Sequence, residues 1–116
     1  MFEKIRKTHE FRRVYQYGKS KANKYLVMYV YERENGPNKY GFSVSKKVGN
    51  SVVRHRITRL LRETIRKDDE QICDGKDIVI IARGMAKGRS LKEIDGAVLH
   101  LCRLHGILKW NASYYF

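Results

Sequence analysis

Asn50-Ser51-Val52-Val53-Arg54-His55-Arg56-Ile57-Thr58-Arg59-Leu60-Leu61-Arg62-Glu63-Thr64-Ile65-Arg66-Lys67 reads as one helix with two unlike sides. Gly49-Asn50-Ser51 offers N-cap residues, and helical periodicity follows from Val52 to Lys67. At about 100° per residue, counted from Arg54, the side chains of Val53, Ile57, Leu60, Leu61 and Ile65 fall within one arc of roughly 240–380°. His55, Arg59, Arg62 and Arg66 fall between about 80° and 140°, while Arg54 and Arg56 flank the edges of the apolar arc. Like charges at i, i+3 and i+4 repel, and no acidic ladder relieves them here. The arrangement gains when phosphates lie along it, because Arg pairs bidentately with phosphate and stacks on bases. A helix that was merely solvated would carry mixed signs, with Lys and Glu leading. Asp68-Asp69-Glu70 stand at the wrong end of the helix dipole, so the helix is expected to fray or stop before them.

Outward from this helix, the chain divides into short elements. Thr8 to Tyr17 opens on a capping-type Thr, places Phe11, Val14 and Tyr15 at i, i+3 and i+4, and meets Gly18, which predicts a short amphipathic helix. Tyr25-Leu26-Val27-Met28-Tyr29-Val30-Tyr31 predicts a strand, with Leu26, Met28 and Val30 on one face and Tyr25, Val27, Tyr29 and Tyr31 on the other. After a polar run containing Asn35-Gly36-Pro37, residues 40 to 45 alternate apolar with small. They read as an antiparallel partner strand with one face left open for a close approach. Asp77 to Ala82 is a near-continuous apolar run typical of a buried central strand. Ser90-Leu91-Lys92-Glu93 has capping-box form, with Leu91, Ile94, Val98, Leu101 and Leu104 at helical spacing behind it. Trp110 to Phe116 is aromatic-rich without a clear period. The order α-β-β-α-β-α, with room for one more short strand between Lys19 and Lys24, is that of an α+β two-layer sandwich.

Composition sets the partner class. The 116 residues suffice for one domain spanning residues 1–116, which excludes most multi-domain enzymes. Lys plus Arg number 25 against 12 acids, a net +13, yet 42% of residues are hydrophobic, so this is a folded basic domain. Residues 1–67 hold 18 basic and 5 acidic side chains, and residues 68–116 hold 7 of each, so all the excess lies in the first part. Residues 45–67 alone carry a net +7 and read as a contact surface. Cys73 and Cys102 form no CxxC pair, which fits a reduced cytoplasmic protein. No signal peptide or membrane span is read, and no membrane partner is expected.

The run from Gly41 to Glu63, Gly41-Phe42-Ser43-Val44-Ser45-Lys46-Lys47-Val48-Gly49 leading into Arg54-His55-Arg56, resembles the signature of the bacterial ribonuclease P protein subunit. The resemblance extends through His9-Glu10-Phe11-Arg12-Arg13-Val14-Tyr15, Gly18 and Ile78 to Arg83, and so covers nearly the whole chain. It departs at His55, where Asn is typical, and at Thr58, where Lys is typical and a phosphate-binding charge is lost. The resemblance implies a fold like ribosomal protein S5 domain 2, with a left-handed β-α-β crossover where the general rule would favour the right-handed one. It also implies help to a catalytic RNA in removing the 5′ leader of precursor tRNA by Mg²⁺-dependent hydrolysis. The ion would be bound mainly through RNA, and no obligate protein partner is expected.

Two surfaces follow from the resemblance. Lys46, Lys47, Arg54, His55, Arg56, Arg59, Arg62 and Arg66 would meet the catalytic RNA, while Phe11, Tyr15, Val27 and Tyr29 would line a cleft for the single-stranded leader. Phe11 suits core and cleft equally; Tyr15 and Tyr29, whose hydroxyls want a wet partner, suit the cleft. A structural RNA-binding protein of the same fold is the alternative, and a self-sufficient nuclease a third reading. No catalytic residue is assigned to the protein: the sequence offers no paired carboxylates at a convincing spacing. His100, Cys102 and His105 lack a fourth ligand and read as part of a packing helix, and Lys87-Gly88-Arg89 reads as a basic loop without phosphate-loop spacing.

Overall fold

The computed structural model describes residues 2–109; the aromatic stretch from Trp110 onward lies outside them. Five strands, β1 (Glu3–Lys4), β2 (Lys19–Ala22), β3 (Leu26–Glu32), β4 (Lys39–Ser43) and β5 (Lys76–Ala82), form one sheet in the order β1-β4-β5-β3-β2. Helices α2 (Ser51–Asp68) and α3 (Leu91–His105) pack together against one face, and α1 (Thr8–Tyr17) lies on β3 and β5. The α+β class is as expected. The two-layer picture gains a partial third layer, because α1 builds a second small core from Ile5, Val14 and Val79 with Phe11, Tyr29, Tyr31 and Ile81.

Strand alternation explains both cores. Across β3, β5 and β4, Met28–Ile80–Phe42 and Val30–Ile78–Tyr40 face α2 and α3. The intervening rows, Tyr29–Val79–Gly41 and Val27–Ile81–Ser43, face the other way. β5 is the central strand its apolar run predicts. Residues 40 to 45 are not an antiparallel partner of β3: β4 ends at Ser43 and runs parallel to β5, which separates the two. The polar turn fails to make a hairpin because it is tied to the start of β5. Arg33 Nε donates to buried Asp77 at 2.6 Å, the Arg33 amide donates to Gly75 O at 2.7 Å, and the Gly75 amide donates to Gly36 O at 2.9 Å. The most apolar strand thus takes the place with neighbours on both sides.

Several local expectations are corrected. Thr8 is not the cap of α1. The Glu10 carboxylate accepts from the Lys7 amide at 3.2 Å and the Arg6 amide at 3.4 Å, and so closes that end from inside. Tyr25 precedes β3 and packs against the helical core instead of sharing a face with Val27. β2 fills the space foreseen for it, and β1 was not foreseen. In α3 the capping box forms, with Ser90 Oγ accepting from the Glu93 amide at 3.1 Å, and Gly106 at φ 69° ends the helix. Its buried face uses Ala97 and Cys102 beside Ile94, Val98 and Leu101, while Leu91 and Leu104 stay exposed.

The helix α2 does not stop before its acids. It runs through Asp68 and continues as a 3₁₀ turn, Asp69–Gln71. Asp68 is fully buried among the apolar positions of the helix, and burial against Asp95 of α3 pushes its carboxyl up to about 7. The next acid, Asp69, accepts from the Tyr40 hydroxyl at 2.7 Å and the Asn38 amide at 3.2 Å. These acids are interior fastenings, so dipole placement does not decide where the helix ends.

Candidate nucleic-acid interface

The Asn50 side chain accepts from the Val53 amide at 3.0 Å and starts α2 where the sequence indicates. Ile57, Leu61 and Ile65 are fully buried, with Val53 and Leu60 packed at the margin. Thr64, which the apolar pattern omits, is buried with them. Anchoring on that side leaves His55, Arg59 and Arg66 exposed and Arg62 half-buried on the other. Ser51, Val52, His55, Arg56, Arg59 and Arg62 line an open groove of about 520 Å³ along the first turns. None of His55, Arg59, Arg62 and Arg66 has an acidic partner among the described residues, so the stripe keeps its full positive potential.

The flanking residues differ. Arg56 is half-buried and donates through Nη2 to the Arg89 carbonyl at 3.0 Å, so it also ties α2 to the loop before α3. Arg54 is half-buried as well, and its carbonyl accepts from Thr58 Oγ1 at 3.0 Å, the hydroxyl bonding back within the helix. Lys46 and Lys47 are exposed in the turn between β4 and α2, and Val48 anchors that turn by burial.

On the opposite face, the close approach anticipated at the open side of residues 40 to 45 comes from the chain itself. A β-carbon at Gly41 would stand 2.5 Å from Cε1 of Phe11, so the ring of Phe11 sits on bare backbone. Phe11 is half-buried in the second core. Tyr15 is 41% exposed and meets Tyr29 edge-on, with ring centroids 5.1 Å apart. Burial and the neighbouring Tyr29 push the Tyr15 hydroxyl above its ordinary value, against a Ser43 hydrogen bond, so it is neutral at any cellular pH. Val27 lies one row further along the same face of β3, beside Ile81 and Ser43. The structure therefore brings Phe11, Tyr15 and Tyr29 together and leaves Val27 on the continuation of their floor. Sequence reasoning missed Ser43 as part of that floor; the period-2 alternation from Gly41 was the signal that could have found it.

The histidines and cysteine of α3 are absorbed by packing. Cys102 is buried, which pushes its thiol up to about 12; a His105 ring nitrogen lies 3.0 Å from the Met28 carbonyl oxygen, and His100 pairs with Asn23 at 3.1 Å. Among the described residues, no three His, Cys, Asp or Glu side chains gather to hold a metal, and no helix is long and apolar enough to cross a membrane.

Comparison with known proteins joins these surfaces to a family. Residues 2–105 match the family model described as Ribonuclease P. The ribonuclease P protein component of Lachnoclostridium phytofermentans is 54% identical over 108 residues, covering 93% of each chain. That of Alkaliphilus metalliredigens is 49% identical over 100 residues, covering 86% of this chain and 90% of the other. The Staphylococcus aureus RNase P protein structure superposes with a TM-score of 0.84 at 34% identity, over 94% of this chain and all of the other. The Thermotoga maritima RNase P protein superposes with 0.79 at 26% identity, over 86% and 94%. By sequence over nearly its full length and by fold, the chain belongs to the ribonuclease P protein family.

Proposed function

We propose a division of labour between the two faces of this ribonuclease P protein component. The chain is the accessory subunit of an RNA-based endoribonuclease and partners the ribonuclease P RNA. The observation that carries the reading is the stripe on α2: exposed His55, Arg59 and Arg66 with Arg62, no acidic partner among the described residues, and an apolar underside. That stripe grips the backbone of the catalytic RNA, assisted by Lys46 and Lys47. A six-phosphate contact gives a salt slope of roughly −4 to −5. On the other face, Tyr15 and Tyr29 offer ring surface to unpaired bases of the precursor tRNA leader, over the floor set by Val27, Ile81 and Ser43. Stacking of this kind tolerates any sequence, as leaders of varied sequence require.

The hydrolytic step is assigned to the RNA. The reading leaves Mg²⁺ to the RNA: the basic stripe of α2 presents guanidinium and imidazole groups, and Asp68 and Asp69 at its far end are engaged by Gln71, Tyr40 and Asn38. In this reading divalent ions sit on RNA phosphates, and the protein holds, orients and neutralises. The reading puts the protein in the cytoplasm with precursor tRNA.

The test is precursor-tRNA cleavage at low Mg²⁺ with a bacterial ribonuclease P RNA alone, the protein alone, and both together. Enhancement only in the mixture, with the cut at the mature 5′ end, is expected. Tight RNA binding without enhancement would move the protein to structural RNA binding, and cleavage by the protein alone would reveal an active site within it.

A further inference from the structure

The basic stripe of α2 does not end at Arg66. Arg62 lines the groove along the first turns and also a second, larger groove of about 780 Å³. There Arg62 and Arg66 face Arg6 and Lys7 from the segment that leads into α1, and His9 from its first turn. The two grooves thus meet end to end at Arg62.

The position of the N-terminal segment is built in. Glu3 and Lys4 pair in parallel with Lys39 and Tyr40, and the Ile5 amide donates to Tyr40 O at 2.9 Å. Phe2 packs edge-on against Tyr40 at 5.2 Å on the helical side of the sheet, and Ile5 enters the second core on the other. With both faces of this edge pinned, Arg6 and Lys7 are held across from α2. Of the two acids that line the groove, Glu3 and Glu10, the second is already engaged. Glu10 accepts from Lys39 at 3.0 Å and from the Lys7 and Arg6 amides, and these bonds hold its carboxyl at about 2. Arg6, Lys7, Arg62 and Arg66 have no acidic partner among the described residues. Arg6, Lys7, Arg62 and Arg66 converge with Lys4 on one open groove whose lining acids are Glu3 and the engaged Glu10, and the Nε of Arg62 is buried without a hydrogen-bond partner. Such crowding is relieved by a polyanion.

We propose that the groove between the N-terminal segment and α2 is a second RNA-backbone site, in which Arg6 and Lys7 join Arg62 and Arg66 on phosphates of the strand that runs along α2. It rests on the assignment of the α2 stripe to RNA and extends it: the RNA turns off the end of that stripe toward the start of α1. The basic side chains come from parts of the sequence more than fifty residues apart, so only the folded protein presents them together.

The test is the salt dependence of binding of full-length protein to a bacterial ribonuclease P RNA. The double variant Arg6→Ala/Lys7→Ala is compared with Lys87→Ala/Lys92→Ala, an exposed basic pair outside the groove, and with Arg59→Ala. Losing two phosphate contacts lowers the slope of log K against log salt by about 1.4–1.8. Between 50 and 200 mM salt the double variant then forfeits about 7- to 12-fold less affinity than the parent. The exchange Arg6→Lys/Lys7→Arg restores the parental slope, and melting temperatures match throughout. Weaker binding with an unchanged slope, or an equal change in the Lys87/Lys92 pair, overturns the proposal. An unaltered double variant beside an impaired Arg59→Ala overturns the groove alone. If Arg59→Ala is silent as well, the assignment of α2 to RNA falls with it.

Discussion

Replacing Gly41 by Ala tests how the cleft is assembled. The added β-carbon would lie 2.5 Å from Cε1 and 2.8 Å from Cζ of Phe11, and 3.5 Å from Cβ of Ile5. Carbon atoms rest about 3.5–4.0 Å apart, so the ring must retreat by roughly 1 Å. It has little room, because Phe11 packs into the cluster around Val14 and Val79 that holds α1 on the sheet. Overpacking of this kind costs about 1–3 kcal/mol, offset by roughly 0.5–1 kcal/mol for removing a glycine from a strand interior. The net loss of about 1–2 kcal/mol appears in urea unfolding as a lower midpoint at constant m, and in heating as a melting point lower by roughly 4–10 °C. With Phe11→Ala in the background the clash disappears, so the double-mutant cycle shows a coupling of about 1–2 kcal/mol. A Gly41→Ala protein as stable as the parent, or a cycle with no coupling, would refute the seating of Phe11 on bare strand.

Tyr29→Ala removes the edge contact with Tyr15 and a stacking surface. Affinity for leader-bearing precursor tRNA should fall about 5- to 150-fold, with mature tRNA spared; equal weakening of both would sink the cleft assignment. Arg59→Ala and Arg56→Ala separate contact from support. Arg59, exposed, should lower the RNA-binding salt slope by about 0.7–0.9 with the melting temperature intact, whereas Arg56, bonded to the Arg89 carbonyl, should also lose stability, about 0.5–1.5 kcal/mol by denaturant titration. Asp68→Asn should alter the pH profile. The Asp68 carboxyl is raised by burial and by Asp95 to about 7, so the folded state holds its proton longer than the unfolded state does. The parent is therefore expected to lose stability as pH rises from about 4 to 7, and Asp68→Asn to flatten that fall; an unchanged profile in unfolding experiments would place the proton elsewhere.

What was legible in the sequence was local. The periodicity of α2, the Ser90–Glu93 box and the apolar run of β5 each declare themselves within one short stretch of chain, and each is present, though α2 runs past its expected end. Pairing was not legible, because a strand's neighbour is chosen by the whole sheet: the polar turn before β4 looks like a hairpin until Arg33 is seen fastened to Asp77, forty-four residues away. β1 was missed for a related reason, since two residues carry no period and exist as a strand only through Lys39 and Tyr40. Asp68 misled differently. Its place within the apolar arc was computable, but a carboxylate there is readable as interior only once Asp95 of α3 is known to face it.

The order of the strands couples the two faces mechanically. Tyr40 and Phe42 of β4 project into the helical core beneath α2, while Gly41 and Ser43 between them floor the cleft beneath α1. The chain leaves β4 through exposed Lys46 and Lys47, runs the length of α2, and returns as β5 directly beside β4. A helix tied at both ends to neighbouring parallel strands cannot shift without moving the strand whose other face carries the cleft. Under the proposed function, the separation between RNA held along α2 and a leader stacked on Tyr15 and Tyr29 would be set by the thickness of a packed sheet, and interiors at crystal-like density are hard to compress. On this reasoning Gly41→Ala, which displaces Phe11 on one face only, should weaken leader-bearing substrate more than it weakens the catalytic RNA, and comparable loss of both would mean that the strand transmits the disturbance to α2.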